Sequence, residues 1–257
     1  MMIYNTENSP FKDLESTPFS EKSWLNFWYP KICEFLHLSP EEDLLALESS
    51  LTKLSSNFSL NNLVNLLESK RVIAIAPGIH LEKEIDEYLQ KEKKSRDVLV
   101  SADGATSYLL SRDIIPHIIV SDLDGNASDQ LEAQKRGSVI LLHIHGDNYK
   151  KIEPFFKEIS ARNFLITTQI HPLPNSFNFF GFTDGDRIVC LSTYMKTAEI
   201  VLIGYDFGSE IGKFSKNGSL DERFKERKMK KFVIGKSIIN WCSNQDQKIS
   251  LLSNLEI

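Results

Sequence analysis

The chain has 257 residues, 41% of them apolar and 25% charged, with a net charge of −5. That profile belongs to an ordinary globular protein with a sizeable core and excludes large-scale disorder; its acidity argues against general nucleic-acid binding, because phosphate backbones favour basic partners. Cys33, Cys190 and Cys242 are too far apart to build a disulfide framework or a zinc spacing, no signal-like basic and apolar run opens the chain, and no apolar stretch approaches the roughly 18 residues of a membrane span, so a cytoplasmic protein with no membrane contact is expected.

The first sixty-odd residues read as helices. Trp24, Phe27, Trp28, Ile32, Phe35 and Leu36 recur at steps of three and four, which gives one apolar face. Its aromatic stripe reads as a packing surface and also offers a surface for a homodimer. Ser39 followed by Pro40 is a helix start, with Ser39 as N-cap and Pro40 at the first helical position, and a second amphipathic helix follows through Leu44, Leu47, Leu51 and Leu54. Residues 1–68 are therefore read as an N-terminal helical segment, and residues 69–257 as an α/β catalytic domain.

From Arg71 the texture changes. Short β-rich runs at residues 72–76, 98–100, 118–120, 139–142, 164–166, 188–191 and 200–203 are interspersed with helical stretches at 81–93, 105–112, 128–136 and 149–162. A last long helix is expected over 223–242. Strands alternating with helices predict a Rossmann-like α/β fold, a mainly parallel sheet flanked by helices.

The chemistry collects after the apolar runs. They lead into Pro77-Gly78, Asp103-Gly104, Asp122-Leu123-Asp124-Gly125, His143-Ile144-His145-Gly146-Asp147-Asn148, Thr167-Thr168-Gln169 and Gly204-Tyr205-Asp206. Ligands of open α/β sheets bind at the carboxyl ends of the strands, so this repetition predicts a site assembled from several loops. Asp122 and Asp124 are the sharpest pair. If the strand continues through them they share a face, and two such charges about 4 Å apart repel by about 4 kcal/mol at an effective dielectric near 20. A cation removes that cost, and an oxygen-only donor set favours magnesium held with substrate phosphates. Asp103 and Asp147 are placed to complete the shell. His145 is read as a neutral contact to phosphate or to a carboxylate behind the metal, His143 as structural.

The segment from Gly208 to Ser215 fails as a P-loop, since three residues separate Gly208 from Gly212 and Phe214 stands at the Ser/Thr position. Lys213 and Lys216 remain candidates for phosphate contact as point charges. They open a basic stretch: residues 213–236 hold nine Lys/Arg against three Asp/Glu. Residues 178–187 mix aromatics, an amide and carboxylates, a composition suited either to a planar heterocycle or to a packed hairpin, while Arg187 suits phosphate.

Taken together, Ala102-Asp103-Gly104-Ala105, Ser121-Asp122-Leu123-Asp124-Gly125, the His143-to-Asn148 segment, Thr167-Thr168-Gln169, Phe182-Thr183-Asp184-Gly185-Asp186-Arg187 and the loop from Asp206 to Lys216 resemble the archaeal 6-hydroxymethyl-7,8-dihydropterin diphosphokinases, whose catalytic domain is related to thiamin diphosphokinase. The likeness runs over nearly the whole chain. It departs at Ser121, where Thr is expected, at Ile144, where Ala is usual, and at Phe180, where glycine is more typical. The resemblance implies attack of a hydroxymethyl oxygen on the β-phosphorus of ATP, giving AMP and a pterin diphosphate in tetrahydrofolate or methanopterin-type cofactor biosynthesis. It implies magnesium on Asp122 and Asp124 with Asp103 and Asp147 assisting, and phosphate held by Arg187, Lys213 and Lys216. Asn148, Thr167, Gln169, Asn178 and Asp184 are the candidates for recognising substrate and nucleotide. Rival readings are a thiamin diphosphokinase, a sugar-nucleotide transferase and a nucleotide sensor.

Overall fold

The near-continuous apolar runs after Arg71 suit strands buried on both faces, and they form an all-parallel sheet. The computed structural model describes residues 3–146, 148–208, 212–215 and 222–252. Its strands are β1 (Arg71–Ile75), β2 (Val98–Ala102), β3 (Ile118–Ser121), β4 (Val139–His143), β5 (Phe164–Thr167), β6 (Ser176–Phe177), β7 (Glu199–Ile203) and β8 (Ile249–Leu251). They lie in the order β6-β5-β4-β3-β2-β1-β7-β8, every pairing parallel. The chain thus steps outward from β1 to β6, then returns to the opposite side of β1 with β7. The order reverses at β1/β7, where parallel sheets open a crevice at their carboxyl ends.

Two apolar layers cover the sheet. Ile73 and Ile75 of β1 face the helices Leu81–Glu87 and Ala105–Ser111. Val72 and Ala74, of opposite parity, face a larger core shared with the helices Asp184–Tyr194 and Glu222–Ser243 and with the N-terminal segment, as the two-residue period of a strand requires. Trp24, Trp28, Ile32, Leu47, Leu63 and Leu67 are all buried in that core. The aromatic stripe therefore packs inside its own chain: Trp28 lies 5.1 Å from Trp241 and Trp24 lies 6.1 Å from Phe180, ring centre to ring centre. Trp24 and Trp28 are consequently not exposed for a second copy, although Phe27 remains 48% exposed.

The Ser39 start is as read, its hydroxyl accepting from the Glu42 N–H. Four elements differ from expectation. Residues 188–191, read as a strand, lie inside the Asp184–Tyr194 helix. The Thr183 N–H donates to the Asp186 carboxylate at 3.0 Å; this N-terminal lock, a Thr-x-x-Asp pattern, outweighs the β preference of Ile188 and Val189. The stretch at 149–162 is broken into Tyr149–Ile152, Glu153–Phe155 and Phe156–Ser160, because Pro154 lacks the N–H a continuous helix needs. Strands β6 and β8, of two and three residues, are too short to carry a periodic signal. Among the described residues, no helix is long and apolar enough to cross a membrane.

Because the N-terminal rings and Trp241 share one core, Trp28→Ala is expected to cost about 3–5 kcal/mol and to leave a single unfolding transition in denaturant. Two separated transitions would show that the N-terminal helices fold as an independent unit.

Candidate functional site

A cavity of about 720 Å³ opens over the carboxyl ends of the strands. It is lined by Pro77 and Gly78 after β1, Asp103 after β2, Asp122 and Asp124 after β3, and His145, Gly146 and Asn148 after β4. Gln169 after β5 and Gly204, Tyr205 and Asp206 after β7 continue the wall. The start of the Asp184–Tyr194 helix supplies Asp184 and Arg187, and the Glu222–Ser243 helix supplies Phe224, Arg227, Lys228, Lys231 and Phe232.

Asp103, Asp122 and Asp124 form its acidic centre, each offering an oxygen within 4.8 Å of the others. The pair does not arise from strand alternation. β3 ends at Ser121, and Leu123 takes φ 55°, a left-handed backbone that turns both carboxylates toward Asp103. Asp103 itself has φ 31°. Such strained positions persist only where surrounding contacts enforce them. Here the Ser121 Oγ–H donates to Asp103 at 3.1 Å, the Gln130 amide donates to it at 2.5 Å, and Ser121 Oγ accepts from the Leu123 N–H at 2.9 Å. Gly125 leaves room for the Asp103 carboxylate: a Cβ there would lie 2.4 Å from Oδ2 and displace it.

Burial, reinforced by the charges of Asp122 and Asp124, pushes the Asp103 carboxyl up to about 6. Burial acts on Asp122 in the same sense. There it is outweighed by the His145 ring, 3.1 Å away, and by the Asp124 N–H at 3.0 Å, so Asp122 is held well below the usual carboxylate range. Asp184 is raised well above that range by burial and then by Asp122, with the Arg187 guanidinium 3.1 Å away opposing. Three hard oxygen donors around one point, one of them disfavoured as an anion, suit a divalent cation of the magnesium type.

The supporting residues come from neighbouring strand ends. Asn148 donates to the carbonyls of His143 (2.7 Å) and Asp122 (3.1 Å) and accepts from the His145 N–H (3.0 Å), tying the loop after β4 to the one after β3. Arg187 also donates to Gln169 Oε1 at 3.3 Å. His143 is buried, its imidazole held well below its ordinary value by desolvation and then by Arg187 and His145; its Nδ1 lies 3.2 Å from Thr167 Oγ1.

Of the residues predicted from sequence, Asp103, Asp122, Asp124, His145, Asn148, Gln169, Asp184 and Arg187 line the one cavity. Thr167 and Asn178 do not. The Thr167 hydroxyl faces His143 and the Leu142 carbonyl, and Asn178 bridges the Ile170 carbonyl and the Phe180 N–H. Lys213 points away to pair with Glu82 at 2.7 Å and is largely exposed. Asp147 and Lys216 lie outside the described residues. Phe180 adopts φ 68°, which accounts for a glycine being usual there, and its ring packs in the core against Trp24 and Trp241 rather than in the cavity.

Asp206, expected at a strand end but given no role, also lines the cavity, as do Asp43, Lys151 and the basic trio Arg227, Lys228 and Lys231, none of which was expected there. The trio was signalled by the basic stretch at 213–236, where its helical spacing places it on one face. Asp43 sits in a Glu-Glu-Asp run that reads as ordinary helix-start chemistry.

Residues 48–212 match the family described as 6-hydroxymethylpterin diphosphokinase MptE-like. A protein named 6-hydroxymethyl-7,8-dihydropterin pyrophosphokinase from Pyrococcus furiosus is 36% identical over 226 residues, covering 87% of this chain and 94% of that one. One of the same name from Methanocaldococcus jannaschii is 31% identical over 234 residues, covering 87% and 96%. A solved structure, the MAf glycosyltransferase from Magnetospirillum magneticum AMB-1, superposes with a TM-score of 0.45 and 14% identity over 70% of this chain and 29% of that one, too distant to bear on fold or activity.

The acidic centre has a stability consequence independent of any activity. A carboxyl raised to about 6 in the folded protein binds its proton more tightly there than in the unfolded chain, so its contribution to stability is lost as pH rises from about 4 through 6. Asp103→Asn removes that penalty. Without divalent cations it is expected to be more stable than the wild type by about 1–3 kcal/mol at pH 7, with the difference shrinking toward pH 4. Unfolding titrations of the two proteins at both pH values check this; a destabilised variant at pH 7 would contradict it.

Proposed function

Because the chain belongs to the 6-hydroxymethylpterin diphosphokinase MptE-like family, we propose that it transfers a diphosphoryl group from ATP to the hydroxymethyl group of 6-hydroxymethyl-7,8-dihydropterin. The observation that carries the reading is the convergence of Asp103, Asp122 and Asp124 in one cavity within a chain of that family. The pterin hydroxymethyl oxygen forms a bond to the β-phosphorus, and the bond from that phosphorus to the α,β-bridging oxygen breaks. The electron pair leaves on AMP, and the hydroxyl proton is released. Reactions of this kind depend on positioning and charge neutralisation more than on covalent help from the protein.

Asp103, Asp122 and Asp124 would hold magnesium, which when bound supplies positive charge to the phosphate oxygens. The remaining wall divides by strand order. On the β1/β7 side, Gly78 and Gly204 let the loops after β1 and β7 pack backbone against backbone, since a Cβ at Gly78 would meet the Gly204 carbonyl oxygen at 2.2 Å, and the Glu222–Ser243 helix presents Arg227, Lys228 and Lys231 to the cavity; we assign this side to the nucleotide. On the β4/β5 side, Asn148, Gln169, Asp184 and Arg187 provide directional donors and acceptors in a buried setting, and we assign it to the pterin. His145 orients Asp122 and holds its negative charge in place. The cytoplasm supplies the ATP.

Incubation with ATP, magnesium and 6-hydroxymethyl-7,8-dihydropterin is expected to yield AMP and a pterin diphosphate, with no AMP from a parallel thiamine reaction. AMP with thiamine alone would keep the chemistry and replace the acceptor. Asp122→Asn is expected to lower kcat by about two or more orders of magnitude while circular dichroism stays unchanged; near-normal turnover would remove the metal assignment.

A further inference from the structure

Asp43 comes from the N-terminal helix Pro40–Leu51 yet is buried beside the cavity, 5% exposed. Its carboxylate is fully engaged. Oδ1 accepts from the Gly146 N–H at 2.7 Å, and Oδ2 accepts from the Tyr29 hydroxyl at 2.6 Å and from the Gln169 amide at 2.5 Å. Three donors leave it little capacity for a substrate, so its work is done through its neighbours. Gly146 belongs to the loop that carries His145 and Asn148, and it approaches the helix so closely that a Cβ would stand 2.7 Å from Glu42 Cβ.

The inventory of donors fixes the rest. A carboxylate only accepts and a guanidinium only donates. Gln169, lodged between Asp43 and Arg187, satisfies both in one orientation alone: its NH2 toward Asp43 and its oxygen toward Arg187 Nη2, at 3.3 Å. Arg187 Nη1 then reaches Asp184 Oδ1 at 3.1 Å. A polar chain runs from Tyr29 through Asp43, Gln169 and Arg187 to Asp184, beside the three-carboxylate centre.

We propose that Asp43 is a positioning residue of the site: by accepting from Gln169 and from the Gly146 N–H, it sets the amide that orients Arg187 and pins the loop that carries His145. The N-terminal segment is thereby a working part of the site. The effect on catalysis rests on the diphosphokinase reading; the effect on Arg187 does not.

The test is an exchange of Asp43 and Gln169 chemistry. Asp43→Asn keeps an acceptor for only one of two donors: its NH2 stands against the Gln169 NH2 or, with the new amide turned over, against the Gly146 N–H. If Gln169 turns over to relieve this, its NH2 meets the Arg187 donors instead. Gln169→Glu alone places two carboxylates in contact. The double variant Asp43→Asn, Gln169→Glu restores the donor–acceptor pairing from position 43 to Arg187 and the net charge: the amide now at position 43 accepts from the Gly146 N–H and donates to the carboxylate now at position 169, that carboxylate accepts from Arg187, and the Tyr29 hydroxyl turns from donor to acceptor.

Each single variant is expected to lower kcat/KM for the pterin by about tenfold to a hundredfold through KM, with the KM for ATP little changed, and the double variant to recover to within about fivefold of wild type. In parallel, the Arg187 Nη–H resonances in protein labelled with 15N-arginine, those of the nitrogens that donate to Asp184 and Gln169, should be protected from solvent exchange in the wild type, lose protection in both single variants and regain it in the double. Should Asp43→Asn fail to fold, the comparison of Gln169→Glu with the double variant carries the same information. A double variant as impaired as the singles, or a fully active Asp43→Asn with unchanged Arg187 resonances, would overturn the proposal. Recovery of the Arg187 resonances in a protein whose wild type transfers nothing to the pterin would sustain the positioning role and refute the diphosphokinase reading.

Discussion

Three carboxylates packed at the ends of adjacent parallel strands repel one another, and much of the surrounding structure serves to hold them there. Oxygens within 4.8 Å imply a repulsion of about 3 kcal/mol per charged pair at an effective dielectric near 20, and burial adds to it. Left-handed backbone at Asp103 and Leu123 adds to the cost, and the protein meets it with a glycine at 125 that leaves room for Asp103 and with contacts from Ser121, Gln130 and His145. Without a cation the arrangement is a stored electrostatic load, the kind of local cost that proteins keep where function requires it.

The sheet order decides what meets at that load. Outward stepping from β1 to β6 places the ends of β2 and β3 between a glycine-lined switch point at β1/β7 and a polar wall at β4/β5. Elements from both ends of the chain close the cavity: Asp43 from the Pro40–Leu51 helix, and Arg227, Lys228 and Lys231 from the Glu222–Ser243 helix. Those helices share the aromatic core around Trp28 and Trp241, so packing far from the acidic centre fixes the positions of charges around it.

The sheet and the acidic centre were legible in the sequence because their signals are local. Buried parallel strands leave apolar runs, and residues that follow those runs fall at one edge of the sheet. The Asp184–Tyr194 helix was legible only through its Thr-x-x-Asp start, since Ile188 and Val189 taken alone favour a strand. Asp43 and the Arg227–Lys228–Lys231 trio depend on which distant segments fold over the strand ends, a long-range fact that spacing does not encode. Asn178 and Thr167 mislead for the opposite reason: they sit in the right loops, but their polar groups are used up by nearby backbone and by His143. Local position locates a loop, and hydrogen-bond demand decides which way a side chain turns.

We propose that Asp103, Asp122 and Asp124 come together to hold a divalent cation. The most direct test is anomalous diffraction from crystals grown with manganese and a non-hydrolysable ATP analogue. An anomalous peak is expected within bonding distance of oxygens of these carboxylates and of phosphate oxygens of the nucleotide. A nucleotide bound in the cavity with no metal at the three carboxylates, or with its metal held elsewhere, would contradict the proposal.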